Sequence, residues 1–510
     1  MSSSELRKET MANNKILDQQ REICPTGVNG LDEIVRGGLP RNKLYLIQGK
    51  PGTGKTTLAM QFLLEGVAQK EKSLYITFSE SKNELEAVAQ SHHWDLSHIT
   101  ILELSTISAS TNMETQNTLF HPSEIELTKI INLLLNKIRE VNPQRIVFDS
   151  ISELRLLAET SLKYRRQMLS FKEFFVDRGA TVLFLDDMTS EAGDLHIQSI
   201  VHGVLLLEKF KAGYGVERRE FHISKLRGVD FRGGTHDYVI KRGGIHIYPR
   251  LVSAQHEELT FPQERISSGL AELDNLVGGG LDRGTSNLIL GPAGSGKSTI
   301  ALRFALSAAQ QGKRVAMYSF EESTTNLLYR ANSLKMHIEP YLQSGHLSLR
   351  KIDPAELTPG QFTSLVREAN EGKVDMVVID SLNGYLHAMP EQQFLMLQLH
   401  ELFTYLGNRG VVTIMVLSQA GIMGSMQSPL DLTYLADTVI LTRFFESFGK
   451  IKKAISVIKK RTTVHEESLR ELRIGPGGVI IGKVLNEFSG IFSGIPKFLG
   501  NESKMMKEHQ

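Results

Sequence analysis

Two stretches decide how this chain is read: Gly49-Lys50-Pro51-Gly52-Thr53-Gly54-Lys55-Thr56-Thr57 and Gly291-Pro292-Ala293-Gly294-Ser295-Gly296-Lys297-Ser298-Thr299. Both satisfy G-x-x-x-x-G-K-[ST], the pattern of a phosphate-cradling loop. Glycine lets the backbone curl until successive amide N–H groups point inward at phosphate oxygens. The helix that follows presents its N-terminus and adds partial positive charge. In that arrangement Lys55 and Lys297 reach the β- and γ-phosphates of ATP, while Thr56 and Ser298 offer a hydroxyl to Mg2+. Gly49, Gly52, Thr53, Gly54 and Thr57 complete the first expected nucleotide-binding set. Gly291, Gly294, Ser295, Gly296 and Thr299 complete the second. One match could be a chance glycine-rich turn; two, each between a strand and a helix pattern, leave no room for coincidence.

Around these loops the chain repeats itself. Thr26 to Glu80 and Ser268 to Glu322 align without a gap, and Lys297 stands 242 residues after Lys55. Gly27, Leu31, Asp32, Gly37, Gly38 and Leu39 return as Gly269, Leu273, Asp274, Gly279, Gly280 and Leu281. Such a register implies duplication of a domain of roughly 230 residues. In each copy an apolar strand (Leu44 to Gln48, Asn287 to Leu290) leads into the loop and a helix (Thr56 to Ala68, Ser298 to Gln310) leads out of it. A second strand follows, Ser73 to Phe78 or Arg314 to Phe320. Strands alternating with helices predict an α/β fold, a mostly parallel sheet flanked by helices in each of two tandem P-loop domains. The expected domains are 21–250 and 264–495, with a polar connection at 251–263 and loose ends at 1–20 and 496–510.

Composition narrows the setting. With 58 basic against 57 acidic residues the net charge is +1, so the surface as a whole is not built for nucleic acid or anionic lipid. Cys24 is the single cysteine, which rules out an internal disulfide and a cysteine-based zinc site. The polar N-terminus lacks an apolar signal core, and no run of about 20 apolar residues could span a bilayer. The chain therefore reads as cytoplasmic.

A carboxylate should complete each metal site. Arg145-Ile-Val-Phe-Asp149-Ser150 and Met376-Val-Val-Ile-Asp380-Ser381 each place an aspartate at the C-terminal end of an apolar strand, where ligands of open α/β sheets bind. Asp149 and Asp380 are the expected magnesium-side residues; a helix cap after a strand is the alternative. Hydrolysis also needs a group to orient or deprotonate water. Glu80 and Glu322 each lie 25 residues after their loop lysine, and Glu321 precedes Glu322 where the first copy has Ser79. Paired carboxylates can raise one partner's pKa, giving the second copy an option the first lacks; solvated loop glutamates are the plainer reading. Asp186 and Asp187, and Gln419, occupy strand ends where a γ-phosphate sensor would sit. His92, His93 and Trp94 read as helix-end or surface residues.

The G-L-D…G-G-L lead-in, the phosphate loop, the Phe-Ser-Glu or Phe-Glu-Glu step and the strand ending in Asp-Ser, all duplicated, resemble the KaiC family of RecA-like double-domain ATPases. The resemblance covers about residues 20 to 495. It implies two RecA-like domains, a homohexamer of stacked rings, and ATP held between neighbouring copies. It also implies residues acting in trans. Lys225 and Arg227, and likewise Lys459 and Arg461, lie two apart late in each copy, so each pair can share a strand face. They could meet a neighbour's phosphates and stabilise transition-state charge, or simply form a solvated basic edge. The family's second domain is similar to a serine/threonine autokinase, and its acceptor positions fall on Thr433 and Tyr434. Thr433 keeps an aliphatic hydroxyl, whereas Tyr434 carries a phenol on a rigid ring. Phe488-Ser-Gly-Ile-Phe-Ser-Gly-Ile-Pro resembles the entry to the family's tail, but only a short polar segment follows, unlike a tail that would bind a KaiA-type activator. A KaiB-like partner on the first ring, no obligatory nucleic acid and no membrane complete the expectation, along with a signalling or timing role. A DNA-dependent RecA- or RadA-like motor is one competing class, though a zinc ribbon is excluded. A nucleotide-gated scaffold with little turnover is another.

Overall fold

Strands such as Arg145–Asp149 and Met376–Asp380 are apolar on every face, and sequences of that kind are stable only when covered on both sides. The computed structural model gives them that cover. It describes residues 22–104, 122–158, 160–188, 196–211, 215–255, 259–387, 392–421, 432–447, 449–491 and 497–498. The chain divides into two compact units at Arg250/Leu251.

In the first unit the strands are β1 (Ile23–Cys24), β2 (Leu39–Pro40), β3 (Leu44–Gln48), β4 (Ser73–Thr77), β5 (Ile99–Glu103), β6 (Arg145–Asp149), β7 (Thr181–Asp186), β8 (Gly203–Phe210), β9 (Arg218–Leu226), β10 (His236–Lys241) and β11 (Gly244–Tyr248). Nine of them form one sheet in the order β11-β10-β9-β8-β3-β7-β6-β4-β5. From β5 to β8 the pairings are parallel, and β8 through β11 close the sheet as an antiparallel run. Along β3 the side chains alternate. Leu44 and Leu46 enter one buried cluster with Phe148 and Phe184, and Tyr45 and Ile47 enter another with Phe62 and Leu63 on the opposite face.

The second unit repeats this topology with β12 (Arg265–Ile266), β13 (Leu281–Asp282), β14 (Ser286–Pro292), β15 (Val315–Ser319), β16 (Leu347–Lys351), β17 (Met376–Asp380), β18 (Val412–Gln419), β19 (Thr438–Ser447), β20 (Lys450–Lys460), β21 (Arg470–Gly475) and β22 (Gly478–Val484). Its nine-stranded order is β16-β15-β17-β18-β14-β19-β20-β21-β22. A short pair, β23 (Phe488–Ser489) with β24 (Lys497–Phe498), follows, and Phe488 packs edge-on against Phe445. Within the connecting segment, Leu251 is buried in the second unit's core and Arg283 lies over the Phe261 ring.

The central strand of each sheet, β3 or β14, therefore ends at the phosphate loop with parallel neighbours on both sides. That topology brings the ends of β6 and β7, or β17 and β18, next to it. Of the helices described, none is long and apolar enough to cross a membrane.

Candidate phosphate and metal sites

Gly54 and Gly296 are the turning points of the two loops. Each caps the following helix in the left-handed region, at φ 99° and 105°, with no side-chain cap. A Cβ on Gly54 would meet the tip of the Ile240 side chain, so it is the left-handed turn that calls for glycine. The helices run Lys55–Ala68 and Lys297–Gln310, one residue longer at the N-terminus than expected. Their first-turn amides face the loop without acidic competitors, an arrangement suited to phosphate.

Both lysines are buried and turned into the loop. Lys55 Nζ donates to Gly49 O at 2.7 Å and Lys50 O at 3.3 Å. Lys297 Nζ donates to Pro292 O at 2.8 Å. Burial pushes the Lys297 ammonium down to about 8, with Asp380 and Glu321 acting in the other direction. Beside each lysine the loop hydroxyl reaches the strand-end aspartate. Thr56 Oγ1 donates to Asp149 Oδ2 at 2.9 Å, and Ser298 Oγ donates to Asp380 Oδ1 at 3.0 Å. Both aspartates are buried and their carboxyls are raised, Asp380 to about 6, chiefly by desolvation. The peptide bond after each aspartate is cis.

Beyond this shared core the two sites part. In the first, the Tyr75 hydroxyl adds a second hydrogen bond to Asp149 Oδ2, and Lys55 Nζ pairs with Asp187 Oδ1 at 2.7 Å. Asp187 thus joins the phosphate site, and Asp186 is taken up by Gln48, Ser152 and Arg155. The gapless repeat sets Met317 where Tyr75 stands, and strand register sets Ser418 where Asp187 stands. Gln419 ends β18 with its Oε1 buried and without a hydrogen-bond partner.

The glutamates differ more. Glu80 Oε2 is buried and has no hydrogen-bond partner. Desolvation, followed by the negative charges of Asp149, Glu84 and Asp187, lifts this carboxyl to about 7. Its counterpart Glu322 is clamped: Arg330 Nη2 donates to Oε2 at 2.7 Å and Nε to Oε1 at 3.1 Å. Arg330 Nη1 also donates to Thr299 Oγ1 at 3.1 Å. Arg330 is placed by the helix Thr324–Ser333, whose Ser323 cap starts it just after Glu322. The equivalent first-unit helix, capped by Ser81, carries Val88 at that position. Glu321 accepts a hydrogen bond from Ser381 Oγ. The raised carboxyl expected of the Glu321–Glu322 pair is thus found on Glu80. Arg330 pairs with Glu322, whereas on Glu80 burial and the neighbouring carboxylates outweigh the opposing charge of Lys55. Tyr75 and Arg330 escaped the sequence reading; the signal was polar residues in one copy facing Met317 and Val88 in the other.

The late basic pairs stay away from their own phosphate loops. Lys225 Nζ donates to Gln198 O and to Val201 O at 2.9 Å, and Arg227 Nη2 to Ser199 O at 3.0 Å. Lys459 Nζ donates to Thr433 O and Ala436 O at 2.8 and 2.7 Å, and Arg461 Nη2 to Tyr434 O at 2.8 Å. A bulge precedes each pair, and both members of a pair grip the same segment, with Arg227 and Arg461 lying just past the ends of β9 and β20. Thr433 is half-buried there and Tyr434 is exposed. His92 ends its helix stacked on Trp94, with His93 as the left-handed cap. Cys24 is buried.

Comparison with known proteins agrees with the duplicated architecture. The family model for the KaiC ATPase matches residues 24–252 and again 266–486. The circadian clock oscillator protein KaiC of Picosynechococcus sp. is 26% identical over 507 residues, covering 98% of this chain and 97% of that protein. Its namesake in Synechococcus elongatus is 27% identical over 504 residues, covering 97% and 95%. The circadian clock protein KaiC3 of Synechocystis sp. is 24% identical over 492 residues, covering 95% and 97%.

Proposed function

Since the chain belongs to the KaiC family of ATPases, we propose that both of its units bind Mg·ATP and hydrolyse it, as parts of a homohexamer with nucleotide between neighbouring copies. The observation that carries this reading is the hydroxyl–carboxylate contact made twice beside a buried loop lysine, Thr56 with Asp149 and Ser298 with Asp380. Two hard oxygen donors per site suit Mg2+, which takes its other ligands from phosphates and water. Groups of three or more His, Cys, Asp or Glu able to hold a metal alone are absent among the described residues. When bound, Mg2+ would neutralise charge on the β- and γ-phosphates.

The chain's own residues supply the rest. Lys55 and Lys297 exchange their loop carbonyls for phosphate oxygens. In the first unit Glu80 accepts the proton of the attacking water, and its carboxyl near 7 suits that task. In the second unit Arg330 occupies both oxygens of Glu322, so Glu321 takes the base role and turnover is slower. Lys225 and Arg227, with Lys459 and Arg461, serve the neighbouring copy, a role supported by their distance from their own loops.

The second unit also transfers phosphate to its neighbour. Thr433 Oγ attacks the γ-phosphorus, the bond to the β-γ bridging oxygen breaks, ADP leaves, and the hydroxyl proton passes to Glu321. Support comes from Lys459 and Arg461 gripping the segment that carries Thr433. A signalling or timing role, with a KaiB-like partner on the first ring, belongs to the same reading. Incubating the full chain with Mg·ATP and no nucleic acid, following phosphate release and intact mass, tests it. Phosphate release with modification at Thr433 is expected. Release with an unmodified chain would remove the kinase reading, and turnover only upon adding DNA would replace the whole with a DNA-dependent motor.

A further inference from the structure

In the first unit, at the end of the sheet away from the phosphate loop, lies a cavity of about 140 Å³ lined by Lys43, Lys172, Ile200, His202 and Arg227, among others. Its walls are the start of β3, the helix Ser161–Asp177, the segment before β8 and the turn after β9. Lys43 and Lys172 have no carboxylate partner among the described residues, and Arg227 donates only to a carbonyl. Lys225 stands behind them; burial, then Arg227 and Lys172, lowers its pKa. Burial, with Lys43, Arg227 and Lys225, lowers that of His202 too. Burial and positive charge lower both groups, and a hydrogen bond with the Arg227 backbone acts the other way on His202.

The second unit shows what this place looks like when charge is not gathered. His202 N donates to Leu44 O and Asp437 N to Ser286 O, which makes Asp437 the counterpart of His202. Arg227 N donates to His202 O and Arg461 N to Asp437 O, which pairs the two arginines. By the same registers Thr285 replaces Lys43 and Phe403 replaces Lys172. Asp437 Oδ1 lies 3.4 Å from Arg461 Nη1, and Phe403 is buried. One copy pairs its arginine with an acid and buries a phenylalanine; the other gathers basic groups around a cavity. Gathering like charges without a counter-charge is costly, and an anion removes the cost.

We propose that the cavity bounded by Lys43, Lys172, His202 and Arg227 binds a phosphate-class anion, and that the second unit lacks this site. Arginine offers a fork to phosphate oxygens and the lysines act as point charges. The occupant is a free phosphate-class anion, and the site does not depend on ring assembly.

The test uses the full chain carrying Lys55→Ala and Lys297→Ala, so that neither phosphate loop holds the probe, and titrates inorganic pyrophosphate by calorimetry without Mg2+. One pyrophosphate per chain is expected, bound more weakly as salt rises. Lys43→Thr with Lys172→Phe, the second unit's own residues, should weaken binding roughly tenfold or more. Lys172→Gln alone should weaken it several-fold and guards against a misfolded double variant. Lys313→Gln, a second-unit lysine already paired with Glu264, should leave it unchanged. Absence of binding, or binding indifferent to the Lys43 and Lys172 changes, overturns the proposal.

Discussion

Two phosphate sites built on one topology differ in what surrounds the glutamate after the second strand. Glu80 is partly buried, faces Asp149 and Asp187, and has an oxygen with no hydrogen-bond partner. Glu322, at the same place in the repeat, has both oxygens held by Arg330. One substitution on the next helix, Val88 against Arg330, separates a carboxylate whose proton affinity is raised from one whose charge is spent. The loops, lysines, hydroxyls and aspartates alone would suggest equal sites. On the proposed reading, duplication preserved the loop lysine and the hydroxyl–aspartate pair and allowed the proposed base to diverge.

The largest effect should come from removing the base itself. Each site is measured with the other loop lysine changed to alanine. Glu80→Gln should then lower first-site phosphate release by about 100-fold or more, the range of a lost general base. Glu322→Gln should lower second-site release by less than about 10-fold, with the larger loss reserved for Glu321→Gln. Equal losses at Glu80 and Glu322 would erase the distinction drawn here.

A smaller effect, opposite in sign, is expected at the clamp. Arg330→Val copies the first unit and frees Glu322, so second-site release should rise by roughly tenfold. A fall would mean that Arg330 assists turnover. Tyr75→Phe removes one of the two hydrogen bonds on Asp149; we expect the Mg2+ concentration for half-maximal first-site turnover to increase by about 5-fold. Substituting Met317 by Leu should leave the second site's Mg2+ requirement where it was.

Stability offers the finest separation. Glu80 has a folded pKa near 7 against an ordinary 4.5. A raised pKa means that the proton favours the folded state. Its stabilising contribution is complete below pH 4.5 and is lost as pH rises through 7. Without nucleotide, Glu80→Gln should therefore stabilise the first unit at pH 8 by about 1 to 2 kcal/mol, discounted for partial exposure. At pH 4 the two proteins should melt alike. Glu322→Gln, which breaks an ion pair, should destabilise at pH 8. Melting curves at the two pH values check both signs.

The fold and the geometry of the two glycine-rich loops were legible because they rest on short, local patterns. Gly54 and Gly296 announce a left-handed turn, and Phe148-Asp149 and Ile379-Asp380 announce an apolar strand ending in a carboxylate. The duplication supplied the register. What the sequence did not disclose depends on side chains meeting across elements. Tyr75 reaches Asp149 from the neighbouring strand, and Arg330 returns to Glu322 from two helical turns on. Neither distance is written in spacing alone. The cationic cavity was hidden for the same reason. Lys43, Lys172, His202 and Arg227 come from four separate segments, and only strand register shows Thr285, Phe403 and Asp437 in their places.

One comparison bears on the whole account: steady-state phosphate release by the full chain carrying Lys55→Ala against the chain carrying Lys297→Ala, each with Mg·ATP and without nucleic acid. We expect most of the turnover to survive Lys297→Ala and to be lost with Lys55→Ala, because the unpaired base lies in the first unit. Turnover that survives Lys55→Ala and disappears with Lys297→Ala would contradict it.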